Sequence, residues 1–453
     1  MAADSADAKA LLEAEGARQA AERRTLLKEL IETDPARALV SKVPLAVRET
    51  LPEGVQKLLE TRVSGRGAYE VMVSTPLPGQ GSSQTRRTAR IDGNAYQAFV
   101  YGRRVEQGSK YSIPMHGIAI GDKLALHASP VRLLEPGEEI PAGAKIGNPD
   151  LKCPVSGRAS RKAAAADAGG IIYYLCHGGH IIELEGQLIG AEGGTGPGGG
   201  DSPTAQSAWT TGNKTVLYSR LNFPDDLTDP QSVASCDTMF TAANSFFQEN
   251  SYGATSLTWT VTPLVTLPNN KAFYAGSAGD NALLSDGRAA ATAAGYNYSS
   301  YTLDCVRFQG AGGGYGGMAY VGARGCWMKS SSGGVLAHEL GHNFGVWHAN
   351  YWTTSPESVI GPGSNGEYGD IFDTMGSAGA GNYHFNAQFK NRLDWLPTAN
   401  VSTVTASGTY RITQYDQPTL AGSTVYALKL TKTGDTSGRV YWMDFRQKWT
   451  SNA

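Results

Sequence analysis

The stretch His338-Glu339-Leu340-Gly341-His342-Asn343-Phe344-Gly345-Val346-Trp347-His348 decides how this chain is read. Its first half belongs to a helix predicted over residues 335–344. On a helix, residues four apart share a face, so His338 and His342 can offer two imidazole nitrogens to one ion. Glu339, one residue on, sits beside that ion without ligating it. Gly345 lets the helix stop and the chain turn, because glycine takes a positive φ at no steric cost. His348 then returns as a third ligand. Three imidazoles leave a fourth position open, which is the pattern of a catalytic rather than a structural zinc site.

His338-Glu339-x-x-His342-x-x-Gly345-x-x-His348 resembles the metzincin zinc peptidases at every fixed position. That family also carries a methionine in a tight turn beneath the metal. Phe372-Asp373-Thr374-Met375-Gly376 supplies one, so the resemblance assigns Met375 to that turn. The residue after the third histidine is Ala349, unlike the Ser, Asp, Glu or Pro of the better-known subfamilies. Together with residues 368–376 and His384-Phe385-Asn386-Ala387, it makes the chain most similar to the gametolysin-like peptidases. The resemblance spans about residues 214–397.

It implies a zinc-dependent endopeptidase, made as a latent precursor, that hydrolyses internal peptide bonds through a zinc-activated water with Glu339 as general base. One catalytic Zn2+ is expected. Protein and peptide substrates, extracellular matrix or cell-wall proteins among them, follow from the resemblance alone. Metzincins bind peptide as an added strand above the metal. Gly317, Met318, Ala319 and Tyr320 stand at the matching place in chain order, so their backbone is expected to pair with substrate. The plainer alternative is a glycine-rich surface loop. Three of only eight histidines fall in the motif, which argues against an accidental pattern. The rival function is a non-catalytic extracellular adhesion or binding protein on a metzincin scaffold; loss of Glu339 would have marked it, and Glu339 is present.

Working outward, the fold expected is α+β: a metzincin-like catalytic domain with a twisted mixed sheet and an active-site helix, preceded by a helical and β-rich prodomain and followed by an incomplete β-sandwich. Residues 1–62 read as a helical arm broken by Pro35 and Pro44. Residues 63–190 read as the β-rich prodomain, with short runs at 69–74, 95–101, 113–120 and 123–128 between turn residues. Residues 191–213 are rich in Gly, Ser, Thr and Pro and read as a linker. Residues 214–398 alternate strand and helix, which predicts a mostly parallel sheet; a helix over 230–250 has Asp229 as candidate N-cap. Residues 399–453 offer strands at 402–405, 409–414, 425–430 and 440–445, in a region that looks truncated.

The five cysteines cannot all pair within the chain. Cys305 and Cys326 flank the glycine-rich edge segment, either as a disulfide or as two buried thiols. Cys236 reads as a core residue. Cys153-Pro154-Val155-Ser156-Gly157 and Tyr173-Tyr174-Leu175-Cys176-His177-Gly178-Gly179-His180 resemble small heavy-metal-binding modules, with His180 in place of the last cysteine. Cys153, Cys176 and His180 could form a second metal site. Two alternatives stay open: a disulfide, or a cysteine switch that closes the catalytic zinc. Calcium is left open, since no D-x-D-x-D-G loop occurs.

A net charge of -2 gives no argument for nucleic acid or an anionic membrane surface. No apolar run reaches membrane-spanning length. The N-terminus lacks the basic start and apolar run of a signal peptide. An unspecific protease is dangerous in a cytosol, so the expectation is a secreted, extracellular protein whose export signal is not part of this sequence.

Overall fold

The computed structural model describes residues 2–76, 83–128, 160–162, 174–176, 208–354, 363–377, 383–431 and 440–447. Their contacts divide the chain into two units, one of residues 1–71 and 86–196, the other of residues 72–85 and 197–453. Among the described residues, no helix is long and apolar enough to cross a membrane. Architecture is mixed α and β, with a large mixed sheet.

In the first unit, an Ala-, Leu- and Glu-rich run forms α1 (Ala2–Thr33). Asp34 ends it and caps α2 (Pro35–Val40), its Oδ1 accepting the Arg37 N–H at 3.0 Å. Pro35 therefore begins a helix as well as ending one, since the first helical position has no N–H to lose. Two single turns follow, α3 (Leu45–Arg48) and α4 (Glu53–Gln56). The strands are β1 (Thr61–Pro76), β2 (Thr85–Ile91), β3 (Asn94–Phe99), β4 (Lys110–Ile120) and β5 (Lys123–Leu126). They pair in the order β1-β2-β3-β5-β4, and β4 pairs back to β1, so the set closes on itself. Closure removes exposed strand edges. Leu27, Ile31 and Ala38 of the helices pack with Ile118, Ile120 and Ala125 of the strands. Sequence reading missed β2, whose three arginines mask a strand with Ala89 and Ile91 buried.

Two short strands, β6 (Ser160–Lys162) and β7 (Tyr174–Cys176), pair antiparallel. Beyond that backbone, the cluster expected from Cys153, Cys176 and His180 lies outside the described residues, as does nearly all of the expected linker.

In the second unit, β8 (Gly212–Asn222) runs parallel to β9 (Thr255–Val261), β10 (Val265–Thr266) and β11 (Leu303–Arg307). Outward from β11 come β13 (Cys326–Met328), parallel, and β12 (Tyr315–Tyr320), antiparallel to β13. Alternation sends successive side chains to opposite faces. Cys305, Ala319, Cys326 and Met328 face a core with α5 (Val233–Asn250) and α7 (Gly333–Phe344). Val306, Met318 and Trp327 face another with α6 (Gly276–Ala293). Fully burying one such side chain stabilises by about 1.5–3 kcal/mol.

Several expectations are corrected here. The N-cap of α5 is Ser232, whose hydroxyl accepts the Ser235 N–H; Asp229 instead accepts from Gln231 and pairs with Arg220. Cys305 and Cys326 lie opposite one another in register as free, buried thiols, so of the two readings the thiols hold. Cys236 is a core residue as expected. C-terminally, β14 (Val401–Val404), β15 (Ala427–Thr431) and β16 (Val440–Asp444) make one three-stranded sheet. Residues 409–414 form no strand despite their alternation: the Thr413 N–H reaches the Val425 carbonyl at 2.9 Å but no ladder builds on that bond, and no second sheet forms there among the described residues.

Candidate metal centre

Helix α7 places the first two histidines. The Ser332 hydroxyl accepts the Gly334 N–H at 3.2 Å and starts it. Leu336, Ala337, Leu340 and Phe344 bury its apolar face against α5. Gly345 ends it with φ of 118°, its N–H donating back to Gly341 and His342. A side chain at that φ would be strained. The chain then turns and brings His348 back, its ring centroid 4.8 Å from that of His342. Ligand-capable atoms of His338, His342 and His348 all lie within 4.8 Å of one another, and all three residues are buried.

Each ring is oriented through its Nδ1. His338 Nδ1 lies 2.8 Å from the Thr374 carbonyl, His342 Nδ1 2.9 Å from the Val346 carbonyl, and His348 Nδ1 2.8 Å from Glu367 Oε1. All three partners are acceptors, which assigns the proton to Nδ1 and the lone pair to Nε2. His342 Nε2 and His348 Nε2 are 3.1 Å apart, and His338 Nε2 is buried with no partner. Two lone pairs facing at that distance repel unless a cation lies between them. Zinc–nitrogen bonds of about 2.0–2.1 Å in a tetrahedron put ligand atoms roughly 3.3 Å apart, close to the 3.1 Å of the His342–His348 pair. The donor set fits zinc. Burial holds the His338 imidazole down to about 4 and pushes those of His342 and His348 well below their ordinary value, so all three are neutral and ligation-competent at neutral pH.

Glu339 is fully buried and neither carboxylate oxygen has a hydrogen-bond partner. Burial raises its pKa to about 8, and the nearby Thr75 hydroxyl offsets part of that rise. An unpartnered buried carboxyl group is costly, and its place beside three converging imidazoles makes it a candidate for chemistry. Gly317 of β12 stands directly over it: a Cβ there would collide with the Glu339 carboxylate.

Met375 is fully buried in the same core as α7. Its carbonyl accepts the Ala349 N–H at 2.9 Å, so the turn that carries it is tied to the residue after His348. Asp373, buried and raised to about 7 by desolvation, accepts the N–H groups of Met375 and Asn386 and shapes that turn.

Four neighbours of the site carried no sequence assignment. Glu367 orients His348. Tyr368 lays its ring 3.9 Å from that of His348 and 5.8 Å from that of His338. Asn343 Nδ2 reaches the carbonyls of Tyr320, Ala323 and Gly325, at 3.0, 2.8 and 3.0 Å. Residues 72–76, which belong to this second unit, run antiparallel along β12, with Val73 opposite Ala319 and Thr75 opposite Gly317. Glu367 and Tyr368 abut the methionine-turn run, and Asn343 lies inside the histidine motif; only that adjacency could have flagged them.

No family model matches the chain, and no curated protein matches it significantly.

Proposed function

We propose that this chain is a zinc-dependent endopeptidase of the metzincin type, closest to the gametolysin-like enzymes, made in a latent form. One observation carries the reading: three imidazoles, their Nδ1 protons committed to acceptors, converge their Nε2 lone pairs beside a buried carboxylate that has no partner. His338, His342 and His348 would hold the ion. Bound zinc supplies Lewis acidity, polarising a carbonyl and acidifying water. The Glu339 carboxylate takes a proton from the attacking water and delivers it to the leaving amine nitrogen. Burial raises this carboxyl in the metal-free chain, and the charge of a bound dication would draw it back to the carboxylate that accepts the proton. Backbone of Gly317, Met318, Ala319 and Tyr320 would pair with the peptide. Protein substrates, extracellular matrix or cell-wall proteins among them, and a place outside the cell go with this reading.

The test uses the purified chain loaded with zinc, a denatured protein as substrate, and mass spectrometry of the products. Wild type is expected to cut the substrate, before or after limited trypsin treatment. Glu339→Ala is expected to keep its zinc and lose cleavage by roughly three orders of magnitude or more. Zinc bound at one per chain with no cleavage under either condition would favour the non-catalytic binding scaffold instead.

A further inference from the structure

We propose that Arg446, which lies outside the span of the peptidase resemblance, is a positioning residue for the metal centre: it clamps the turn of residues 372–376 and so aims the His338 imidazole. This rests on the metal-binding part of the proposed function and not on peptide cleavage.

The path from one residue to the other lies inside the second unit. His338 Nδ1 is oriented by the Thr374 carbonyl at 2.8 Å. That carbonyl belongs to the main chain, so its direction is set by whatever fixes the turn. Within the turn, Asp373 accepts the Met375 N–H on Oδ1 at 2.8 Å and the Asn386 N–H on Oδ2 at 2.6 Å. The Thr374 hydroxyl donates to the Tyr383 carbonyl at 2.6 Å. Arg446 completes the frame from the C-terminal side. Its Nη1 donates to the carbonyls of Phe372 and His384, the latter at 3.0 Å, and its Nη2 lies 3.8 Å from Asp373 Oδ2. One guanidinium therefore ties residues 372 and 384 together and faces the buried carboxyl group between them. A planar fork of donors in fixed directions can serve several acceptors at once, which a single ammonium does poorly.

Arg446 is itself held in place. It follows β16 directly, and Asp444 at the end of that strand accepts the Ala387 N–H at 3.0 Å. On its other side, the Gln447 N–H donates to the Asp416 carboxylate at 3.0 Å. The guanidinium lies over the Tyr415 ring, 5.3 Å from its centroid, a cation–π contact. The Tyr415 carbonyl accepts the Tyr252 hydroxyl at 2.6 Å, two residues past the end of α5. The C-terminal sheet thus reaches the turn through one side chain braced on both flanks. Removing the guanidinium takes a donor from two carbonyls and the facing cation from Asp373. The turn then loses its outer tie, and the Thr374 carbonyl its fixed direction.

The experiment uses the full chain as wild type, Arg446→Met, Arg446→Lys and Leu428→Ala. Leu428 is a buried residue of β15 with no polar group to offer the turn. Zinc affinity is read by competition with a chromophoric chelator, and the His338 tautomer in the zinc-free chain by long-range proton–nitrogen NMR of histidine-labelled protein. Arg446→Met is expected to bind zinc roughly tenfold more weakly and to turn a single Nδ1–H tautomer into a mixture. Arg446→Lys is expected to recover part of both, because it keeps a charge beside Asp373. Leu428→Ala loosens the same sheet, and is expected to stay within about twofold of wild-type affinity and to keep one tautomer. Wild-type affinity and a single tautomer in Arg446→Met overturn the proposal. An equal loss in Leu428→Ala overturns it too, since the effect is then one of general stability. If Arg446→Met does not fold, Arg446→Lys decides: wild-type behaviour in both readouts overturns the proposal. A wild type that binds no zinc, yet holds one tautomer that Arg446→Met mixes, sinks the metal reading and leaves the positioning role standing.

Discussion

At the scale of single residues, the centre depends on how its imidazoles are aimed. Two of the three Nδ1 partners are main-chain carbonyls, which no substitution removes. The third is the Glu367 carboxylate, a side chain one-third exposed at the edge of the site. A charged acceptor fixes the tautomer of His348 and makes its Nε2 more basic. Glu367→Ala is therefore expected to weaken zinc binding by about 10- to 100-fold, measured by competition with a chromophoric chelator, while Glu367→Gln, which still offers an oxygen, loses less. Unchanged zinc affinity in the alanine variant would show that main-chain packing alone holds the ring. The convergence of the three histidines beside Glu339 was legible in the sequence because it follows from fixed spacing within one helix and one turn. Glu367 and Tyr368 were not, because nothing in local periodicity says that a residue nineteen or twenty positions past His348 folds back onto its ring.

At the scale of elements, the site is the meeting of one helix with one strand. Asn343 joins them: a single amide nitrogen on α7 serves the carbonyls of Tyr320, Ala323 and Gly325 where the chain leaves β12. The Gly322 N–H adds a bond to the His342 carbonyl at 2.8 Å. Replacing Asn343 by Leu keeps the volume and strips a donor from three buried carbonyls, of which that of Gly325 keeps the Tyr320 N–H. The expected cost is about 2–3 kcal/mol in a urea titration of the zinc-free protein. A loss below about 0.5 kcal/mol would mean that these carbonyls find other donors. The same scale shows what patterning can and cannot give. Buried runs such as residues 216–223 and 303–308 announced β8 and β11, since a strand covered on both faces reads as continuous apolar sequence. β2 was missed because Arg86, Arg87 and Arg90 dominate its composition, while residues 409–414 alternate like a strand and yet build no ladder. Strand identity is a property of the pair, and one sequence segment reports only half of it. The pairing of residues 72–76 with β12 is the extreme case: about 240 residues separate the partners, and neither segment names the other.

At the scale of the whole second unit, burial of ionisable groups gives its stability a definite dependence on acid. His338 and His384 are held down to about 4, and His342 and His348 lie well below their ordinary value, in each case first because burial penalises the charged ring. Lys390, fully buried, is likewise pushed well below its ordinary value by desolvation. A group whose folded pKa is depressed contributes stability that is complete above its unfolded value and is lost as pH falls through the folded one. For the histidines that window opens at 6.5 and closes near 4 or lower. Glu339 and Asp373 act in the opposite sense: burial raises them to about 8 and about 7, so their penalty is relieved as pH falls toward their unfolded values. The four histidines, whose unfolded value falls inside the interval, outweigh Glu339, Asp373 and the likewise raised Asp416. The zinc-free chain is therefore expected to lose stability between pH 7 and pH 5, read as a lower urea midpoint. A His338→Asn/His342→Asn variant removes two of the four histidine contributions and should lose less over the same interval. If it loses as much as wild type, the buried centre is not what makes the fold acid-sensitive, and the load falls on the His384–Lys390 pair, whose Nδ1 and Nζ lie 2.8 Å apart beneath Tyr252.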